Sequence, residues 1–271
     1  MLRSNVGTLA VRLRRSAGLA ILATTLPAMP AGAQRGFRGV APDPVIQVVP
    51  YDGRFTFARL KFTTGPGGFY YMGLPAWAHG YPKAENNLVR ITREITTAKF
   101  NVDAVNVLAL DDPQLMKYPV SFMVEPDYWQ MNDKEAAGLR AYFAKGGFVI
   151  FDDFRDDFRN GNAGWANFEA QMKRVIPNPQ FFDLQPTHPI FHSFFEINSF
   201  SIIPQAYGGG RPVFKAVFEN NDPSRRMLAM INFNTDVSNF WEFSATGMYL
   251  VSDSNEGYKL GVNYLVYALT H

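Results

Sequence analysis

The chain has 271 residues and no cysteine. The absence of cysteine excludes disulfide bonds, thiolate metal sites and a cysteine nucleophile. It also excludes a lipid anchor on an N-terminal cysteine. A chain of this length can bury a core large enough to fold without disulfides.

Long apolar runs are lacking as well. Residues 16–26 are small and apolar, but this run is too short to span a bilayer. It follows a basic segment with Arg12, Arg14 and Arg15 and precedes the A-x-A pattern of residues 31–33. This order is typical of a secretory signal peptide, whereas an uncleaved anchor would need a longer apolar run. We therefore expect cleavage near Ala33 and a periplasmic or secreted protein without a transmembrane segment.

Neither sign of charge dominates the chain, which has 26 basic and 24 acidic residues. The segment 1–33 contains four arginines and no acidic residue. Without it, 22 basic residues remain against 24 acidic ones, so the formal net charge changes from +2 to −2. No basic patch for nucleic acid is left, and no nucleic-acid partner is expected.

Strand and helix patterns alternate along most of the chain. Residues 34–52 are rich in Gly and Pro and are predicted to be a flexible lead-in, followed by a single domain over residues 53–271. Strands are predicted at 55–62, 105–108, 120–124, 148–151, 181–184, 213–219, 226–231 and 248–252. Helices are predicted at 85–97, at 165–175 and at 258–269, and from Asn132, with Glu135 as its capping-box partner, to Gly146. This alternation indicates an α/β fold with a mainly parallel sheet, and the hairpin at 213–231 indicates an antiparallel extension at one edge.

Acidic residues follow three of the predicted strands: Asp111 and Asp112, Glu125, and Asp152 and Asp153. Parallel strands would bring them to one edge of the sheet, where ligands bind in open α/β folds. Grouped carboxylates can hold a hard divalent cation or divide into acid and base roles. The alternative is that they cap helices or bind turn amides.

Two further segments are candidates for ligand binding. His188 precedes Pro189 in a predicted loop and could face the same edge, or it could be an ordinary loop histidine. The polar and aromatic segment 232–242 contains Asn234, Asp236 and Trp241, which suits a sugar ligand or a loop held by its own side chains. His79 lies in an aromatic loop and has no evident partner in the sequence.

Common catalytic and nucleotide-binding motifs are missing. The sequence contains no G-x-S-x-G nucleophile elbow and no P-loop. An α/β-hydrolase therefore lacks its nucleophile here, and a P-loop nucleotide site lacks its phosphate cradle.

The sequence resembles one bacterial family in four segments: 146–154 (GGFVIFDDF), 172–177 (MKRVIP), 188–191 (HPIF) and 259–270 (KLGVNYLVYALT). The family is the domain of unknown function 4159, and the resemblance covers about residues 53–271. It implies a flavodoxin-like three-layer sandwich similar to class I glutamine amidotransferases and trehalose-utilisation-type domains. Without cysteine, glutamine hydrolysis is excluded. The resemblance marks the following positions without giving them a role: Asp152, Asp153, His188, Asn234, Asp236 and Trp241.

The sequence thus leaves three hypotheses about function. The first is an exported, non-catalytic binding or scaffold domain for a polar small molecule, a glycan or an envelope protein. The second is a metal-assisted or carboxylate-based hydrolase, in which Asp152 and Asp153, with His188 or Asp236 as a further ligand, would hold a divalent cation. The third is a structural envelope protein in which the two aspartates are caps. No cofactor is required by the sequence.

Overall fold

The structure is a computed structural model that describes residues 46, 48–70, 73–156, 163–206 and 210–271. The predicted signal peptide and most of the predicted lead-in lie outside the described residues. At the end of the lead-in, the main chain of Val49 exchanges two hydrogen bonds of 2.8 Å with the Asn106 side chain. The elements described below fall within one unit, Phe37–His271.

The described residues form short and long strands separated by helices. The strands are β1 (Phe55–Lys61), β2 (Thr63–Thr64), β3 (Phe69–Tyr70), β4 (Leu74–Pro75), β5 (Phe100–Ala109), β6 (Val120–Val124), β7 (Trp129–Gln130), β8 (Phe148–Phe154), β9 (Phe182–Asp183), β10 (Val213–Phe218) and β11 (Met227–Phe233). The helices are α1 (Lys83–Ile95), α2 (Asp133–Ala144), α3 (Gly164–Val175), α4 (Val237–Glu242) and α5 (Val251–Thr270).

The central sheet has the strand order β5-β1-β6-β8-β11-β10-β9. Its first five strands are parallel, and β10 pairs antiparallel with both neighbours. In chain order the parallel strands are arranged 2-1-3-4-5, which is consistent with a flavodoxin-like sandwich. The order reverses between β1 and β6, and in such sheets ligands bind beyond the carboxyl ends of the strands at this switch point.

Helices cover both faces of the sheet, and each face has its own core. One core contains Leu88 of α1, Trp241 of α4 and Leu260 of α5. The other contains Leu139 of α2 and Phe168 of α3. Because both faces are covered, β6 and β8 are buried along their whole lengths. The predicted α/β class, the parallel sheet and the antiparallel edge are confirmed.

Several local predictions are confirmed, and one is wrong. Asn132 and Glu135 form the predicted capping box of α2, and Gly146 follows this helix with a φ of 105°. The strand predicted at 248–252 does not form. Met248, Leu250 and Val251 are 61%, 71% and 75% exposed, and α5 begins at Val251. This apolar run belongs to a surface connection, so its hydrophobicity does not reflect burial in the sheet. Within the described residues, no helix has the length and apolar character that crossing a membrane demands.

Candidate functional site

Three side chains from separate parts of the chain converge near the switch point. The distance from His79 Nδ1 to Asp153 Oδ2 is 2.6 Å, and that to Glu125 Oε1 is 3.0 Å. One nitrogen and two carboxylate oxygens of these residues lie within 4.8 Å of one another. The set comprises an imidazole and two carboxylates, which are all ordinary ligands of a metal ion.

The backbone places the two carboxylates at the ends of neighbouring parallel strands. Glu125 directly follows β6, and Asp153 lies near the end of β8. Glu125 has a φ of 47° and Asp153 a φ of 61°, so both are in the left-handed region that non-glycine residues rarely adopt. Such conformations are held in place by the surrounding structure and are common at functional sites. Here they end the strands and bring the two carboxylates to one imidazole.

His79 comes from the connection between β1 and α1. It follows the 3-10 turn Ala76–Ala78, and its main-chain N–H donates to Ala76 O at 3.1 Å. Gly80 has a φ of 67°, and a Cβ placed on it would lie 3.0 Å from Glu242 Oε2. The glycine therefore lets the chain turn close to a further carboxylate beside His79.

Asp152 has a different environment from that of Asp153, although the two are adjacent in sequence. Its buried carboxylate accepts hydrogen bonds from the amides of Val237 and Ser238, the first two residues of α4, at 3.1 and 2.8 Å. It also accepts from Asn232 Nδ2 at 3.0 Å, and Asn232 in turn accepts from Tyr264 Oη at 2.9 Å. Asp152 thus joins β8, β11, α4 and α5.

Asp236 is the third buried carboxylate of this region. It caps α4 by accepting from Asn239 N and from Ser238 Oγ, both at 2.8 Å. Asp236 is only 2% exposed, and it lies close enough to Asp152 and Asp153 to interact with them electrostatically. Of the residues marked by the family resemblance, the structure therefore brings Asp152, Asp153 and Asp236 together.

Burial and mutual repulsion alter the protonation of this region. Burial, together with the charge of Asp153, raises the pKa of Asp152 to about 6 and that of Glu125 to about 7. Burial, followed by the charges of Asp153 and Asp152, raises the pKa of Asp236 well above its usual value. Burial alone would lower the pKa of His79, but its hydrogen bonds to Asp153 and Glu125 raise it to about 11. Without a metal ion, His79 is therefore the cation that balances the carboxylates.

The side chains of the other marked residues, His188, Asn234 and Trp241, contact other parts of the chain. His188 packs against the rings of Phe218 and Tyr267, and Phe218 pairs with the first residue of β11. The His188 ring therefore lies at the amino-terminal end of β11, opposite to the site. Its Nδ1 accepts a hydrogen bond from Ile190 N at 3.2 Å. The Asn234 side chain donates to Arg211 O at 3.0 Å, at the end of β11.

Trp241 is part of the core. Its side chain is fully buried, its Nε1–H donates to Gly257 O at 2.8 Å, and its ring centroid lies 5.8 Å from that of Phe122. A buried ring has no surface on which a sugar could stack, so the segment 232–242 is a loop and helix held by its own polar side chains. Asp112 likewise acts as a cap, accepting from Gln114 N at 2.8 Å.

Sequence reasoning did not assign His79 to the site, and it named Glu125 only as one of several strand-end acids. The available signal was the position of both residues after strands that flank the switch point. No short sequence motif contains both residues, because His79 and Glu125 are 46 positions apart in the chain.

The comparison with protein families agrees with the resemblance seen in the sequence. The family model described as "Domain of unknown function (DUF4159)" matches residues 56–269, which include every residue of the site. No curated protein matches the sequence. Since the matched segment covers most of the chain, this protein belongs to the DUF4159 family.

Proposed function

We propose that this protein binds a divalent metal ion through His79, Glu125 and Asp153 and uses the ion to hold a polar ligand at the carboxyl ends of β6 and β8. The observation that carries the proposal is the convergence of one imidazole and two carboxylates within 4.8 Å at this edge of the sheet. Mixed nitrogen and oxygen ligands suit Zn²⁺ or Mn²⁺ better than Ca²⁺, which prefers oxygen alone.

The charges around the three ligands support a cation. Asp152 and Asp236 are buried beside them, and burial, followed by repulsion among the carboxylates, raises their pKa values. Burying several like charges together is costly unless a cation compensates them. A divalent ion would replace the proton of His79 and restore the ionised state of Glu125, so its binding would release protons.

Calorimetric titration of metal-free protein with Zn²⁺, Mn²⁺, Mg²⁺ and Ca²⁺ tests the proposal. We expect one site that prefers Zn²⁺ or Mn²⁺ and loses at least tenfold in affinity in His79→Ala and in Asp153→Asn. His192→Ala is the matched control, because His192 also pairs with a carboxylate, Glu196 Oε2 at 2.5 Å, but on the surface. Equal affinity in the wild type, His79→Ala and Asp153→Asn would refute the site.

A metal-assisted or carboxylate-based hydrolase is the second candidate. It is favoured by Glu125, because in the metal-free protein a carboxyl group with a pKa of about 7 is suited to exchange protons at neutral pH. The test is hydrolysis of chromogenic esters, phosphate esters and glycosides by the metal-free and the metal-loaded protein. Turnover that is lost in Glu125→Gln supports the hydrolase, whereas no turnover in either form leaves the binding function alone.

We further propose that the protein is exported, because residues 1–33 contain a basic segment, an apolar run and an A-x-A pattern in the order of a signal peptide. In a periplasmic or secreted location, the ligand would be a glycan, another polar small molecule or an envelope protein. The similarity to class I glutamine amidotransferases concerns the fold alone, because the chain has no cysteine. Mass spectrometry of the protein from fractionated cells should show a mature chain that starts near Gln34. An intact N-terminus in the cytoplasmic fraction would contradict export.

A further inference from the structure

We propose that Arg59, held by Glu85, is a positioning residue that presents the His79 ring to the metal ion. This inference rests on the proposed function, because it concerns the same site. Neither Arg59 nor Glu85 is among the positions marked by the family resemblance. Both lie beneath the site, and no charge of either is exposed to solvent.

Arg59 links the sheet directly to the main chain around His79. It lies on β1, the strand at the switch point, and its Nη1–H groups donate to Trp77 O at 2.9 Å and to His79 O at 2.8 Å. These two carbonyls bracket the turn that leads into the imidazole. One guanidinium nitrogen therefore fixes the height of this turn above the end of the sheet.

Glu85 fixes Arg59 in turn. Its Oε1 accepts from Arg59 Nε at 2.5 Å, and Glu85 lies in the first turn of α1, which follows His79 in the chain. The Arg59 guanidinium also lies 4.9 Å from the centre of the Phe122 ring on β6, the strand that ends at Glu125. The ion pair thus ties together the turn that carries His79, the next helix and the two strands at the switch point.

A role in stability alone does not account for this pair. Two charges taken out of water lose their hydration, and apolar residues of similar size often stabilise a core as well as a buried ion pair does. Within the described part of the chain, Arg59 Nη2 and Glu85 Oε2 have no hydrogen-bond partner. The geometry that apolar residues could not reproduce is the pair of hydrogen bonds to the carbonyls of Trp77 and His79.

The double variant Arg59→Met/Glu85→Met separates positioning from stability. It removes both charges together, so no unpaired charge is left in the core, and it also removes both hydrogen bonds to the turn. We expect its thermal midpoint to stay within a few degrees of the wild type while its Zn²⁺ or Mn²⁺ affinity falls at least tenfold. Arg226→Met is the matched control, because Arg226 also donates to two carbonyls, Gly147 O and Phe143 O, at the opposite edge of the sheet.

A second measurement follows the His79 ring without a metal ion. In the wild type, the ring N–H that is hydrogen-bonded to Asp153 should give a downfield proton signal, assigned by its loss in His79→Ala. We expect this signal to disappear in the double variant and to persist in Arg226→Met. The protein contains four histidines, so few ring signals compete with it.

The two measurements distinguish the failure of either proposal. If the double variant folds, keeps the His79 signal and binds metal like the wild type, Arg59 is not a positioning residue. If the wild type binds no divalent ion but the double variant loses the His79 signal, the metal site is refuted and the positioning role stands. If the double variant does not fold, Arg59→Lys, which keeps the charge but shortens the reach to the two carbonyls, is measured in its place, and an unchanged His79 signal there overturns the inference.

Discussion

At the scale of single residues, adjacent aspartates have separate roles. Asp152 is directed into the protein and accepts three hydrogen bonds, two of them from the first amides of α4. Asp153 has a left-handed backbone and is directed to His79. The two side chains point in different directions because side chains alternate along a strand and because the chain turns at Asp153.

Substitutions at the two positions should therefore affect different properties. Asp152→Ala leaves buried donors without an acceptor and should lower the free energy of unfolding by about 3 kcal/mol. Asp153→Asn loses one ion pair of His79, which keeps Glu125 as a partner, and relieves repulsion with Asp152 and Asp236, so its loss of stability should be smaller than that of Asp152→Ala. Urea unfolding measures both values. Equal losses of stability would show that the two aspartates are both structural caps.

At the scale of elements, close packing of α5 against α1 and α4 supports the site. Gly261 of α5 is buried, and a Cβ placed on it would lie 2.7 Å from Leu88 Cδ1 and from Trp241 Cζ2. Trp241 is part of α4, whose first amides bind Asp152. The glycine thus allows the helices to approach closely behind the carboxylates.

Gly261→Ala should destabilise the protein, although alanine favours helices by about 1 kcal/mol over glycine. Overpacking a filled core costs about 1–3 kcal/mol, and the rigid Trp241 ring limits how far the neighbours can move. The expected net change in urea unfolding is a loss of about 1 kcal/mol. Asn255→Ala on the exposed face of α5 is the control and should leave stability unchanged or slightly higher. A stabilised Gly261→Ala would mean that the helices can separate at little cost.

At the scale of the whole molecule, the site links stability to pH. The pKa values of Asp152, Glu125 and His79 are raised from 3.8, 4.5 and 6.5 to about 6, 7 and 11. A group with a higher pKa in the folded state binds its proton more tightly there. Its contribution is fully present below the unfolded pKa and is lost as pH rises through the folded pKa. The stabilisation from the two carboxyl groups is lost between about pH 4 and 7, and that from His79 is lost between about pH 6.5 and 11.

Metal-free protein should therefore lose stability as pH rises from 5 to 9. Because the three groups act in the same direction, we expect the free energy of unfolding to decrease over this range, seen as a lower thermal midpoint. Saturating Zn²⁺ or Mn²⁺ should reduce this decrease, because the ion replaces the protons and binds more tightly at higher pH. Thermal unfolding at several pH values measures both effects. A midpoint that rises with pH in the absence of metal would contradict the assigned protonation states.

Signals along the sequence predict the α/β class, the parallel sheet, the capping box at Asn132 and Glu135, and the absence of cysteine chemistry. These features depend on local periodicity, on capping spacings and on composition, which are all visible along the chain. The prediction of a strand at 248–252 failed because an apolar run does not show whether its residues are buried.

Which polar residues meet depends on the folded chain. His79, Glu125 and Asp153 are far apart in sequence and are joined because β1, β6 and β8 end at one edge of the sheet. Trp and His often bind ligands, but here packing places Trp241 in the core and His188 at the opposite end of the strands. Strand order and the direction of each side chain are set by contacts between distant segments, and a single sequence does not record them.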